Sequence, residues 1–217
     1  MHDKGIILAH LKLNVEPNVN KILEEISSIL EHSLETGTET SFLTSYPNLD
    51  ITKFNKDTGE IIKGSIPGYK VISLTTSEDA LSKYGFNSFR DTMPDKAWNW
   101  IANLPETKKA VESLPFDEYY IVKVISLDPG GIGIPHTDSK SPTGTSLTIE
   151  LLDGGVKLNI FYNGKCYSPS SNIFYFDDSV LHGVEQITTK RIVMRIHGKL
   201  NDTWQDFIDH SQLNVYR

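Results

Sequence analysis

The chain has 217 residues, 38% hydrophobic and 23% charged, with a formal net charge of −7 and one cysteine, Cys166. That length suits one well-buried domain, and a single cysteine excludes an internal disulfide framework and a cysteine-based zinc site. Scattered lysines and arginines among a larger number of acids argue against nucleic acid as the main partner, because phosphate contacts dominate that affinity.

Nothing approaches the apolar length of a membrane span, and MHDKGIILAHLKL lacks the features of a signal peptide. With one cysteine, a reducing compartment is expected, and so a cytoplasmic protein. Between Asn20 and Leu34, Ile22, Leu23, Ile26, Ile29, Leu30 and Leu34 recur at helical spacing, which predicts an amphipathic helix. From Thr36 to Lys70 the chain reads as polar and irregular, with a hairpin turn at NKDTGE. A second helical region is predicted from Asp95 to Ser113, bracketed by Pro94 and Pro115.

After Pro115 the period changes. YYIVKVISL, SLTIELL, VKLNIFY, NIFYF and RIVMRIHG read as strands rich in β-branched and aromatic residues, joined by DPGG, DGG, YNGK and FDDS. Asn163-Gly164 is a strong hairpin signal, since both central positions of a type I′ turn need positive φ. Short strands at regular spacing predict a β-sandwich or barrel, mainly β with flanking helices. A short helix is predicted after Asn201, with Trp204, Phe207 and Ile208 on one side. The predicted organisation is one domain: a helical and irregular support region at 1–115, a β core at 116–198 and a C-terminal helix or tail at 199–217.

Alternation in RIVMRIHG puts Ile192, Met194 and Ile196 on one face and Arg191, Val193, Arg195 and His197 on the other. In SLTIELL, Leu147, Ile149 and Leu151 oppose Ser146, Thr148 and Glu150. If helices cover the apolar faces, the polar faces line the interior; otherwise they meet water. The stretch GIGIPHTDSK holds His136 and Asp138 one residue apart after a glycine-rich turn. Two metal ligands, two members of a hydrolytic relay and an ordinary strand end all remain open for that pair alone. Downstream come His182 in SVLHGVEQ, Arg191 nine residues later and Arg195 on the same face. His-x-Asp, a distant His and then an Arg is the pattern of the facial triad of non-haem Fe(II) oxygenases.

Residues 119–198, through YYIVKVISLDPGGIGIPHTD and NIFYFDDSVLHGVEQITTKRIVMRIHG, resemble the double-stranded β-helix of the Fe(II)- and 2-oxoglutarate-dependent dioxygenases. The PGG turn before IPHTD is similar to the aspartyl/asparaginyl β-hydroxylase-like and free proline hydroxylase branch. The short gap from His182 to Arg191 resembles prolyl hydroxylases as well. The resemblance implies a jelly-roll, cupin-like core supported by N-terminal helices. It implies His136, Asp138 and His182 as Fe(II) ligands and Arg191 as the anchor of the distal carboxylate of 2-oxoglutarate. Arg195 is a second candidate for that anchor. Retention of Asp138 separates the chain from halogenating relatives. The implied reaction consumes dioxygen and 2-oxoglutarate, releases succinate and carbon dioxide, and hydroxylates an amino acid, free or in a peptide, of proline, asparagine or aspartate type.

Ser146, Thr148, Lys123, Tyr120 and Asn159 are further candidates for holding cosubstrate carboxylates. SKSPTGT at 139–145 reads as a mobile lip or a hairpin loop. Arg90, Trp98 and Trp100 precede the barrel, where relatives place substrate contacts; Trp98 and Trp100 cannot share one helix face. His197 reads as a satisfied structural histidine, and Cys166 is assigned no chemistry. The competing classes are a non-catalytic cupin-like metal or ligand-binding module and a metal-dependent hydrolase or isomerase using the same triad.

Overall fold

Strands dominate the chain, and all their pairings among the described residues are antiparallel. The structure, a computed structural model, describes residues 5–35, 43–54, 61–76, 99–138 and 145–217. Its larger sheet has eight strands: β1 (Ile6–His10), β2 (Leu43–Phe54), β3 (Ile61–Ser73), β6 (Phe116–Leu127), β8 (Thr145–Asp153), β11 (Ile173–Phe176), β13 (Arg191–Leu200) and β14 (Val215–Tyr216). They lie in the order β14-β1-β11-β8-β13-β6-β3-β2. A four-stranded sheet, β10-β9-β12-β7, is formed by β7 (Gly133–His136), β9 (Leu158–Tyr162), β10 (Lys165–Tyr167) and β12 (His182–Val184). Thr75–Thr76 and Asn99–Trp100 make the short pair β4-β5. From β6 to β13 consecutive strands alternate between the two larger sheets except at the β9–β10 hairpin, which is the double-stranded β-helix, or jelly-roll, arrangement.

Period-two alternation gives the larger sheet two unlike faces. One face gathers Val122, Val124, Leu147, Ile149, Leu151, Ile192, Met194 and Ile196. These pack in one buried cluster with Ile22 and Ile26 of helix α1 (Val19–Glu35), Ala110 and Val111 of helix α2 (Pro105–Glu112), and Trp204. The helices therefore cover the apolar face. On the opposite face, Leu8, Phe174 and Phe176 pack with Leu158 and Ile160 of the four-stranded sheet. Thr148 lies directly opposite Phe174, and Arg195 opposite Thr148. Directly opposed antiparallel residues share a side, so the arginine and threonine face the interior rather than bulk water. Asn163 (φ 49°) and Gly164 (φ 71°) turn β9 into β10, as the left-handed requirement of a tight hairpin predicts.

Four expectations are corrected. Within the stretch from Thr36 to Lys70 that reads as irregular, Leu43–Phe54 and the strand from Ile61 pair as the long antiparallel β2–β3; a period-two pattern is too weak there to signal strands, and NKDTGE lies outside the described residues. Of the helix expected over 95–113, the described residues are α-helical only at Pro105–Glu112, and Asn99–Trp100 is extended. Proline at the first helical position needs no amide donor and favours a start there. The expected C-terminal helix is only a 3₁₀ turn, Trp204–Phe207, followed by β14. The support region is not merely helical and irregular, because β1, β2 and β3 extend the larger sheet.

Helix α2 lacks a side-chain cap of its own at Leu104. Glu25 of α1 supplies one: its carboxylate accepts from the Glu106 and Thr107 amides (2.9 Å each) and from Thr107 Oγ1 (2.7 Å). Amides at a helix start have no intrahelical partner, and a carboxylate there also meets the positive end of the helix dipole. Glu25→Ala is expected to lower stability by about 1–2 kcal/mol in denaturant unfolding. Thr107→Val, which leaves the amide bonds intact, should cost less.

Candidate metal centre

The end of β7 and the start of β12 are adjacent, and His182 pairs directly with His136 across them. Their ring centroids are 4.5 Å apart. Gly183 permits this approach: a Cβ there would lie 2.7 Å from the Gly133 carbonyl oxygen and 3.0 Å from Pro135 backbone atoms. Each ring is oriented by a carbonyl two residues earlier. His136 Nδ1 lies 2.7 Å from Ile134 O, and His182 Nδ1 lies 2.9 Å from Val180 O. A carbonyl only accepts, so each Nδ1 carries a proton and Nε2 is the atom of each ring left to bind a metal.

Asp138 completes the group. Its Oδ1 lies 3.3 Å from His136 Nε2 and its Oδ2 lies 3.9 Å from His182 Nε2. The Asp138 amide donates to the Asp178 carbonyl (2.8 Å), which fixes the chain just beyond β7. One ligand atom from each of the three residues lies within 4.8 Å of the others. Metal bonds of about 2.1 Å place neighbouring octahedral ligands about 3 Å apart. The two measured carboxylate–imidazole separations are within about 1 Å of that spacing, so the donor set fits a divalent ion held on one face.

Electrostatics favour the binding forms. Burial works to raise the Asp138 pKa, but its neighbours, among them the Arg195 guanidinium, outweigh it and hold the carboxyl well below its ordinary range. Burial, reinforced by His136 and Arg195, pushes His182 down to about 4 against the opposing pull of the Val180 carbonyl and Asp138. At neutral pH the group therefore offers an anionic carboxylate and a neutral buried imidazole.

The two arginines of β13 have different surroundings. Arg195 Nη1 lies 3.4 Å from Asp138 Oδ2, and its Nη2 donates to Asp178 Oδ2 at 3.0 Å. Its guanidinium carbon sits 5.1 Å from the centre of the Phe176 ring. Arg191 donates to Glu150 Oε1 at 2.7 Å, and the other Glu150 oxygen accepts from Lys157 at 2.8 Å. The Arg191 and Glu150 side chains are only 5% and 2% exposed.

Thr148 and Lys123 flank Arg195 on the neighbouring strands, and Ser146 holds the position opposite His197. Asn159 does not join them: it bonds Ser168 and Glu185 on the exposed side of the four-stranded sheet. Trp100 donates to the Tyr119 hydroxyl (3.2 Å) and packs on the apolar cluster. Arg90, Trp98 and residues 139–144 of SKSPTGT lie outside the described residues. Two corrections concern polar groups. His197 is buried, but among the described residues neither ring nitrogen has a hydrogen-bond partner, so it is not the satisfied histidine expected. Asp178, read only as part of the FDDS turn, contacts Arg195; no spacing in the sequence distinguishes it from Asp177.

No family model matches the chain, and no curated protein matches it. Solved structures do. A 2OG-Fe(II) oxygenase family oxidoreductase from Burkholderia pseudomallei is 12% identical, with 88% of this chain and 97% of that chain covered and a TM-score of 0.40. A prolyl-4-hydroxylase from Pseudomonas putida is 12% identical, with 92% and 94% covered and a TM-score of 0.45. A Trichoplax adhaerens prolyl hydroxylase, in complex with a hypoxia inducible factor peptide fragment, is 10% identical, with 95% and 89% covered and a TM-score of 0.47. The strand order and the donor set described above rest on this chain's own coordinates.

Two outcomes are expected from this geometry. Gly183→Ala leaves every ligand in place but should weaken Co(II) binding about tenfold in a calorimetric titration, by forcing β12 away from β7. Glu150→Ala strands a buried guanidinium and should cost about 3–5 kcal/mol in unfolding, most of it recovered when Arg191 is also replaced by Met.

Proposed function

We propose that the chain is an Fe(II)- and 2-oxoglutarate-dependent dioxygenase that hydroxylates an amino acid, free or within a peptide, with release of succinate and carbon dioxide. The observation that carries this reading is the His136–Asp138–His182 group between strands of a double-stranded β-helix, with the Arg195 guanidinium beside it. His136, Asp138 and His182 would hold a divalent ion through three donors, which would leave it able to take a chelating oxo acid and dioxygen. A plain binding jelly roll or a metal hydrolase has no need of an arginine beside the triad, inside the fold. Iron, when bound, supplies the dioxygen chemistry.

The protein's residues have the remaining tasks. His136 and His182 present Nε2 with Nδ1 held by backbone carbonyls, so the metal ligands are pre-oriented. Arg195 keeps Asp138 ionised and in place through the contacts already given. The apolar residues Phe174, Phe176, Leu158 and Ile160 beneath the site exclude water from it. Among the described residues no helix is long and apolar enough to cross a membrane. Cys166 is exposed and free, in keeping with a reducing, cytoplasmic setting. The preference for a proline, asparagine or aspartate acceptor follows from the sequence resemblance alone.

Anaerobic addition of Fe(II) and 2-oxoglutarate is expected to produce a weak visible charge-transfer band, abolished by His182→Ala. Succinate release screened over free amino acids and over proline- or asparagine-containing peptides then identifies the acceptor. Failure of the metal-loaded protein to bind 2-oxoglutarate would overturn the reading in favour of a binding module or hydrolase.

A further inference from the structure

The interior face of the larger sheet carries a row of donors that the metal triad does not use. Cross-strand register places Ser73 opposite Lys123, Lys123 opposite Arg195, and Arg195 opposite Thr148. Opposed residues have Cβ atoms about 5 Å apart, so four strands align two hydroxyls and two cations in one band. His197 follows on the same face of β13, two residues beyond Arg195.

Arg195 is engaged by Asp138 and Asp178, but Lys123 has no ion pair or side-chain hydrogen bond among the described residues. Its side chain is half-buried. Burial, and after it the Arg195 charge, push its amine down to about 8. The hydroxyls of Ser73 and Thr148 and both His197 nitrogens are buried without hydrogen-bond partners among the described residues. Buried polar groups are normally satisfied, and each exception calls for a missing partner. Here the unmatched groups can all donate and the charge is positive, so the missing partner is an anion.

Arg191 is in the opposite condition. Glu150 and Lys157 already form a closed, buried ion cluster with it. Four residues separate it from Arg195 along the strand, about 13 Å at strand rise. An internal carboxylate thus occupies the guanidinium that the sequence motif would offer to a ligand.

We propose that Lys123, flanked by Ser73 and Thr148 and beside Arg195, is the seat for the distal carboxylate of the oxo-acid cosubstrate, and that Arg191 is a structural strut. This rests on the dioxygenase reading. The seat would give Lys123 a counter-charge that a dicarboxylate supplies through its second carboxylate and a monocarboxylate, with its single carboxylate engaged at the metal, does not. Lys123 is then the residue that makes the site select a dicarboxylate.

The test uses the full chain loaded with Mn(II), with binding of 2-oxoglutarate and of pyruvate measured by calorimetry and metal affinity measured alongside. Lys123→Gln should weaken 2-oxoglutarate by about 30-fold while leaving pyruvate and Mn(II) affinities unchanged. Thr148→Val should weaken 2-oxoglutarate by about fivefold, and stands in if Lys123→Gln does not fold. The paired Arg191→Gln/Glu150→Gln variant, which removes both buried charges together, should bind 2-oxoglutarate like wild type. Wild-type affinity in Lys123→Gln, or in Thr148→Val where that stands in, would overturn the seat, as would loss of binding in the paired variant. A wild-type chain that takes up Mn(II) but no 2-oxoglutarate would instead overturn the dioxygenase reading, and the seat with it.

Discussion

Direct pairing of His136 with His182 between β7 and β12 is the contact on which the site depends. It sets two imidazoles side by side with their Nε2 atoms towards one carboxylate. Two local features hold it. Gly183 lets the strands meet at a distance no Cβ would allow, and the two Nδ1–carbonyl bonds leave the rings little rotational freedom. Metal ligands spread over separate strands are useful only if their approach is rigid in this way. Asp138, tied to Asp178 through its amide and to Arg195 through its carboxylate, completes the arrangement from just beyond the strand end.

The larger sheet explains how so polar an interior persists. Its apolar face is sealed by α1, α2 and Trp204, which accounts for much of the buried aliphatic surface. That frees the other face to carry Lys123, Thr148, Glu150, Arg191, Arg195 and His197. Burying such groups costs several kcal/mol each unless they are paired. Arg191 with Glu150, and Arg195 with Asp138 and Asp178, meet that requirement internally. Lys123, Ser73, Thr148 and His197 have no such partners among the described residues, and that contrast is the basis of the proposed cosubstrate seat.

Much of this was legible in the residues, because period-two alternation and tight-turn chemistry are local. RIVMRIHG and SLTIELL assign their faces correctly, and Asn163-Gly164 turns where its φ requirement says it should. The order His136, Asp138, His182 pointed to a facial triad. Sequence could not tell whether the polar faces meet water or the interior, because that depends on where α1 and α2 pack. Nor could it show that Arg191 is held by Glu150, since a 41-residue separation is closed only by the pairing of β13 with β8. Ser73 was hidden for a related reason: it lies at the end of a hairpin with little alternation, and gains meaning only opposite Lys123. The second helix was read too long because its apolar spacing continues upstream of Pro105, where the chain is extended at Asn99–Trp100.

Anomalous diffraction from crystals of the Mn(II)-loaded protein tests the central claim most directly. The account requires one strong peak, bonded at about 2.1 Å to His136 Nε2, His182 Nε2 and an Asp138 carboxylate oxygen, with its other positions open to solvent or ligand. A peak elsewhere in the molecule, or none there at saturating metal, would contradict it.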